Sequence, residues 1–177
     1  FFNAPEKGTA EILIENLFNM AAAPRKPISD STADTVAMNG QIWVTRKNVF
    51  VDRMACAWLI RRFIDSNAKF LFADGDDLFS GAGHIRFDMH GGEYTHQGDK
   101  CSFEVMAETF CPQDKAVTLL SEMVHDIDLK EAKFGHTETE GFNAMLIGIT
   151  ACETDDMERM EKSMAIFENM YAYFLRQ

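Results

Sequence analysis

The chain has 177 residues, of which 46% are hydrophobic and 25% charged, and this composition is typical of an ordinary globular domain. Its net charge of -11 at pH 7 argues against nucleic acid as a partner, because duplex binding depends on Lys and Arg that neutralise phosphates. No stretch approaches the roughly 18 consecutive apolar residues that cross a bilayer, so membrane insertion is not expected.

Residues 1–40 are predicted to form an N-terminal helix, over Thr9–Ala23, and a linker rich in Pro, Ser, Thr and Asp. The folded domain is predicted to occupy residues 41–177. Because the chain begins at Phe1 without a methionine, we expect a processed form or a fragment. The cytoplasm is the predicted compartment, and an exported form stays open.

The first half of the domain is predicted to hold three strands, at residues 41–46, 69–74 and 84–89, where β-branched and aromatic residues alternate with others. Between the first two strands, Asp52 is a plausible N-cap for a helix that ends near Asp65. With a mainly helical second half, this pattern predicts an α+β fold built on a small mixed β-sheet.

Four helices are predicted after the strands, at residues 102–111, 114–131, 138–151 and 154–175. The last one carries large apolar residues at steps of three and four, the spacing of a single packing seam. Because thioethers fill irregular apolar gaps, the seam is predicted to be core. The alternative is an interaction module that forms a homodimer through this seam. Its members are Met157, Met160, Met164, Phe167, Tyr171 and Phe174.

An anion site is predicted near the first strand, because residues 41–72 carry six basic and two acidic residues in an otherwise acidic chain. Arg46 ends the strand and Arg53 lies in the first turn of the next helix. Guanidinium groups bind tetrahedral oxyanions with two donors, and a helix start adds free N–H groups. His96 is the expected third member of this site.

A metal site is predicted where a glycine-rich loop meets a helix. His96 lies in the loop, and Glu104 lies in the first turn of a helix for which Ser102 looks like the N-cap. His125 and Asp128, three apart on the next helix, face the same way. Together, these two imidazoles and two carboxylates suit a divalent Zn, Mn or Fe ion. Further polar residues beside this set, and so candidates for supporting or redox roles, are Asp99, Cys101, Asp126 and Lys130.

Three segments, WVTRKNVFVDRMACAWLIRRFID, EYTHQGDKCSFE and VHDIDLKEAKFG, closely resemble the signature segments of the C-terminal domain of chromate-resistance ChrB-type proteins. The resemblance runs from about Trp43 to the end of the chain. It implies a domain associated with chromate resistance, found alone, after a DNA-binding regulator domain or after a rhodanese-like domain. The candidate residues named above all fall within these segments.

Two functions follow as expectations. In the first, the domain binds a small oxyanion such as chromate, a divalent metal ion, or both, in sensing or detoxification. The alternative is a metal-dependent redox or hydrolytic enzyme that uses the His and carboxylate site. Because chromate is a strong oxidant, Cys101, expected to be exposed, would be an electron donor.

Overall fold

The computed structural model describes residues 38–74 and 83–177. These residues belong to a compact unit that begins at Thr35. Nearly all of the predicted N-terminal helix and linker therefore lies outside the described residues.

The three predicted strands form one sheet in the order β2-β1-β3, with β1 (Ile42–Arg46) between β2 (Lys69–Ala73) and β3 (His84–Arg86). The α+β fold class is confirmed. Both neighbours run parallel to β1, however, so the expectation of a mixed sheet is wrong. Alternation of side chains reveals a strand but not its direction. The helical crossover between β1 and β2 is the feature that makes this pair parallel.

The helix predicted after β1 begins as α1 (Val51–Leu59) and continues as one π-helical turn (Ile60–Ile64). The buried carboxylate of Asp65 follows directly. It accepts backbone N–H bonds from Gly40 and Gln41, at 2.8 Å each, so the end of the helix is fixed to the start of β1.

All four predicted later helices are present: α2 (Ser102–Phe110), α3 (Lys115–Asp128), α4 (Thr139–Cys152) and α5 (Asp156–Phe174). The apolar seam of α5 packs inward, since Met160 and Phe167 are fully buried and Phe167 stacks on Trp58 with ring centroids 6.1 Å apart. The prediction that this seam is core is confirmed. Met157 and Met164, the other two methionine positions of the seam, are partly buried and pack against the same core.

The carboxyl edge of the sheet is where polar groups gather. Arg46 ends β1, Asp88 follows β3 by two residues, and α1 begins five residues after β1. In parallel sheets this edge is the usual place for ligands, because loops and helix starts surround it. Within the described ranges, none of the helices has the length and apolar character needed to cross a membrane.

Candidate functional site at the carboxyl edge of the sheet

Three carboxylates surround one imidazole nitrogen at this edge. The Nε2 atom of His96 lies 3.2 Å from Asp52 Oδ2, 3.4 Å from Asp88 Oδ1 and 3.6 Å from Asp128 Oδ2. Asp52 comes from α1, Asp88 from the segment after β3, and Asp128 from the end of α3. We call these four residues the aspartate–histidine cluster.

Asp52 does not cap its own helix, so that prediction is wrong. Phe50 occupies the N-cap position of α1, and Asp52 lies within the first turn. Its buried carboxylate accepts the backbone N–H bonds of Ser102 (3.0 Å) and Phe103 (2.8 Å), at the start of α2. A helix start leaves N–H groups unpaired and carries partial positive charge, so a carboxylate from another helix is stabilised there.

Cys101, rather than Ser102, is the N-cap residue of α2. The predicted cap position is therefore off by one residue. The Cys101 side chain accepts from the backbone N–H of Glu104, and the Glu104 carboxylate accepts the Cys101 N–H at 2.9 Å, which forms a capping box. Ser102 is free to donate its hydroxyl to Asp88 Oδ1 at 2.9 Å.

Asp88 joins the cluster to both predicted anion-binding arginines. Its backbone adopts a left-handed conformation with φ of 45°, which is uncommon for a residue other than glycine. Arg53 Nε lies 2.8 Å from Asp88 Oδ2, and one terminal nitrogen of Arg46 lies 3.8 Å from the same oxygen. Arg46 Nε also donates to the Asp88 carbonyl at 3.3 Å.

The two arginines differ in how much of the guanidinium group stays open. Arg53 donates to the carbonyls of Lys47 and Asn48, at 3.3 and 3.0 Å, and its side chain is only 17% exposed. The Arg46 side chain is 43% exposed. The structure thus places Arg46, Arg53 and His96 around one aspartate, and Arg46 keeps the larger open surface.

The burial and close approach of the carboxylates raise the pKa values of Asp88 and Asp128. Burial raises the pKa of Asp128 to about 6, and the negative charges of Asp52 and Asp88 act in the same direction. Burial and the charge of Asp52 also raise the pKa of Asp88. Hydrogen bonding to Asp52 raises the pKa of His96. The cluster therefore favours positive charge at its centre.

Glu104 and His125, the other two predicted metal ligands, form a separate pair. His125 is fully buried, and its Nδ1 lies 2.6 Å from Glu104 Oε2. On the other side of the ring, Nε2 lies 3.4 Å from Glu131 Oε2. The four predicted ligands thus divide into two pairs, because Glu104 already accepts the Cys101 N–H and turns toward α3.

Cys101 is fully buried, so the expectation of an exposed thiol is wrong. Burial raises the pKa of its thiol well above the usual range, and the charge of Asp52 acts in the same direction. A thiolate is the reactive form of cysteine, so this environment opposes oxidation of Cys101. Cys101 packs in the hydrophobic core at the start of α2, which explains its burial.

The remaining predicted residues lie around the second pair. Asp99 is exposed and forms an ion pair with Lys133 at 3.2 Å. Asp126 is buried and accepts backbone N–H bonds from residues 133–135, which fixes the loop after α3. Lys130 is exposed in that loop, with φ of 56°. Asp126 and Lys130 thus shape the chain beside the site.

Sequence reasoning missed Asp52 and Asp88 as cluster members. Asp52 was interpreted as a cap and Asp88 as part of a strand. The available signal was the position of both residues, because Asp52 follows the first predicted strand and Asp88 lies near the end of the third. In a parallel sheet the carboxyl ends of the strands lie along one edge, and ligands usually bind there.

Comparison with known proteins gives two matches. The family model described as ChrB, C-terminal domain, matches residues 43–174. A protein of Cupriavidus metallidurans named Protein ChrB is 35% identical over 147 residues, which cover 80% of this chain and 43% of that protein. The chain thus spans less than half the length of this relative. No solved structure matches the chain.

Proposed function

Because the chain belongs to the family of ChrB C-terminal domains, a family associated with chromate resistance, we propose that it binds a divalent metal ion in that role. The ligands are His96, Asp52 and Asp128, with Asp88 beside them. One observation carries the proposal: the Nε2 atom of His96 lies within 3.6 Å of oxygens from all three aspartates.

The spacing of these atoms suits a shared ion. Nitrogen and oxygen ligands bind Zn at about 2.0–2.2 Å, so two ligands of a tetrahedral ion lie roughly 3.3–3.6 Å apart. The distances from His96 Nε2, at 3.2, 3.4 and 3.6 Å, fall close to this range. One ligand atom from each of Asp52, His96 and Asp128 lies within 4.8 Å of the others. Small movements would let these atoms surround a cation.

The charge and accessibility of the cluster support the same function. Three carboxylates in a partly buried site repel one another, and a divalent cation would offset this repulsion. The side chains of His96 and Asp128 are 40% and 26% exposed, whereas Asp52 is 3% exposed. Asp52 therefore forms the buried side of the cluster. His96 and Asp128 form its exposed side, from which an ion can enter from solvent.

The donor set indicates the class of metal. Imidazole nitrogen with carboxylate oxygens suits Zn, Mn or Fe. An ion of this class, when bound, supplies a Lewis acid that polarises an oxygen ligand or activates water. The chain's own residues would hold and orient it, and Arg53 and Ser102 would keep Asp88 in place. A metal-dependent redox or hydrolytic enzyme is the alternative function, and it would use the same ligands.

Elemental analysis by inductively coupled plasma mass spectrometry tests the proposal, on a chain purified without chelator or histidine tag. We expect about one metal ion per chain. His96→Ala and Asp52→Asn should lose most of it, whereas His136→Ala should keep it, because His136 pairs with Glu122 outside the cluster. His125→Asn should also keep it, because His125 contacts Glu104 and Glu131 instead.

The proposal fails if the native chain holds no metal and takes none up on dialysis against Zn, Mn or Fe. It also fails if the His96→Ala chain keeps the full amount. If His125→Asn is the only variant that loses the metal, the ligands are Glu104 and His125 and not the cluster residues.

Binding of a small oxyanion is a second candidate function, supported by Arg46. Its guanidinium group lies beside the cluster, at 3.8 Å from Asp88, and is 43% exposed. A tetrahedral dianion such as chromate that bound an ion in the cluster would find the Arg46 guanidinium group beside it as a hydrogen-bond donor. Arg53 and His96, the other predicted anion ligands, are already held by protein oxygens.

Calorimetric titration with chromate and sulfate, in metal-loaded and metal-free protein, tests this second function. We expect heat of binding in the native chain and a loss of at least tenfold in affinity in Arg46→Ala, about 1.4 kcal/mol. Arg86→Ala is the matched control, because Arg86 pairs with Glu93. Equal heats in the native chain and the Arg46→Ala chain would exclude Arg46 as an anion ligand.

A further inference from the structure

A cleft lies between α2, α3 and the loop that follows α3. Its volume is about 390 Å³, which is within the size range of cavities that bind small molecules. Its lining includes Glu104 and Ala107 of α2, Ser121 and Glu122 of α3, and Phe134 of the loop. We call it the α2–α3 cleft. None of its described lining residues belongs to the aspartate–histidine cluster, so the two are separate features of the molecule.

Glu104 gives the cleft a buried carboxylate that keeps one oxygen open. The residue is only 9% exposed. Its Oε2 atom accepts the N–H of Cys101 and lies 2.6 Å from Nδ1 of His125. Within the part of the chain that the structure describes, Oε1 has no hydrogen-bond partner and is reached by solvent. A carboxylate oxygen forms its strongest hydrogen bonds with charged donors, so Oε1 is an acceptor for a cationic ligand.

Glu122 adds a second carboxylate to the cleft in the same arrangement. Its Oε2 atom lies 2.6 Å from Nε2 of His136, and its side chain is 26% exposed. Among the described residues, no other hydrogen bond reaches this carboxylate. In both pairs the imidazole contacts Oε2, so each glutamate keeps Oε1 as an acceptor for a ligand.

The lysines that line the cleft are already paired. Lys100 Nζ lies 2.6 and 2.7 Å from the two carboxylate oxygens of Glu108. Lys133 Nζ lies 3.2 Å from Asp99 Oδ2. These pairs are neutral, so the net charge of -2 on the described lining residues comes from the two glutamates above. The cleft should therefore attract cations and repel oxyanions.

Part of the lining of the cleft is apolar. It consists of Ala107, Cys111, Pro112 and the ring of Phe134, which is 36% exposed. A cation already lies over this ring, because Lys133 Nζ is 5.1 Å from its centroid. The face of an aromatic ring attracts cations. The charge and the apolar lining together suit a ligand that joins a positive charge to an apolar body.

We propose that the α2–α3 cleft binds a small organic amine. The ammonium group donates to Oε1 of Glu104 and of Glu122, and the apolar body packs against Phe134. A metal ion is less suited to this cleft, since among the described residues the aspartate–histidine cluster alone brings three ligand atoms within 4.8 Å of one another. An ammonium group has three N–H donors and needs no such close set of ligands.

Titration of the isotope-labelled full chain with benzylamine, followed by two-dimensional NMR at pH 7, tests this inference. A chelator in the buffer keeps metal out of the aspartate–histidine cluster. We expect saturable changes in the amide signals of Ala107, Ser121 and Phe134. Benzyl alcohol has the same ring without the charge, so it should bind about tenfold more weakly.

Substitutions identify the two carboxylates. Glu104→Gln and Glu122→Gln nearly keep the shape of each side chain and remove its charge, so each should weaken benzylamine binding about tenfold. Glu161→Gln is the matched control and should keep the native affinity, because Glu161 pairs with Arg61 outside the cleft. The same spectra show whether each variant is folded. If Glu104→Gln does not fold, Glu122→Gln still decides, because its side chain is partly exposed.

Two results would overturn the proposal. The first is that benzylamine changes no amide signal of the cleft, or binds no more tightly than benzyl alcohol. The second is native affinity for benzylamine in the folded glutamine variants, because the carboxylates would then not hold the ammonium group.

Discussion

Replacing Asp65 by Asn should destabilise the fold strongly, although the two side chains have nearly the same shape. Asp65 is 1% exposed and ends the π-helical turn. Its Oδ1 accepts N–H bonds from Gly40 (2.8 Å) and Asn67 (3.1 Å). Its Oδ2 accepts from Gln41 (2.8 Å) and from the Trp43 indole (3.4 Å). The carboxylate therefore joins the end of the helix to the start of β1.

The size of the effect follows from the number of donors left unpaired. Asparagine keeps one acceptor oxygen and replaces the other by an NH₂ group, which cannot accept a hydrogen bond. Two of the four N–H donors would lose their partner. Each buried unpaired donor costs about 1–3 kcal/mol, and in either orientation one of the two donors belongs to an exposed residue, Asn67 or Gln41, so we expect a loss of about 1–4 kcal/mol. This is a large share of the roughly 5–15 kcal/mol that stabilises a typical domain.

The effect should depend on pH with a defined sign. Burial acts to raise the pKa of Asp65, but the N–H bonds from Gly40 and Gln41 outweigh it, so the pKa lies below its ordinary value. The contribution of the ionised carboxylate is therefore fully present above the unfolded pKa, at about 3.9. It is lost as the pH falls through the lower folded pKa. The native and Asp65→Asn chains should thus approach one another in stability below about pH 4.

Urea unfolding followed by circular dichroism at pH 7 and at pH 3 measures both effects. Asp74→Asn is the control, because Asp74 is 68% exposed and its ion pair with Lys47 should contribute less than about 1 kcal/mol. The reasoning would be refuted if Asp65→Asn lay within about 0.5 kcal/mol of the native chain at pH 7. A difference in unfolding free energy that is as large at pH 3 as at pH 7 would contradict the role of ionisation.

Three further predictions concern the core, a loop and the thiols. Asp156→Ala should lower the unfolding free energy by about 2 kcal/mol, because Asp156 accepts the N–H bonds of Asn48 and Val49; an unchanged urea midpoint would contradict this. Phe167→Ala should cost about 3–5 kcal/mol by leaving a cavity in the core, again measured by urea unfolding. In a Cys152→Ser chain, the three remaining thiols are buried, so a thiol reagent should react with them only after denaturation.

The helices and strands could be predicted because each carries a local period. The seam of α5 from Met157 to Phe174 repeats at steps of three and four, and the structure buries this side. The direction of the strands could not be read in the same way, since alternation along β3 is the same whichever way the strand runs. The early end of β3 follows from the left-handed backbone at Asp88, which sequence alone did not reveal.

Half of the aspartate–histidine cluster was predicted and half was not. His96 and Asp128 stand out because their residue types suit a metal site. Asp52 did not, because a carboxylate at the beginning of a helix has a local explanation as a cap. Its true partners, the N–H groups of Ser102 and Phe103, are fifty residues away along the chain. Only the packing of α1 against α2 brings them together.

The cluster takes its four members from positions 52, 88, 96 and 128, so an ion bound there would act as a removable crosslink between distant parts of the chain. The unfolded chain cannot reproduce this arrangement, so binding would add to the stability of the fold, by about 2.7 kcal/mol at a hundredfold excess over the dissociation constant. The rate at which a protease degrades the chain would then fall as the supply of metal rises. The lifetime of the protein would itself record the metal content of its surroundings.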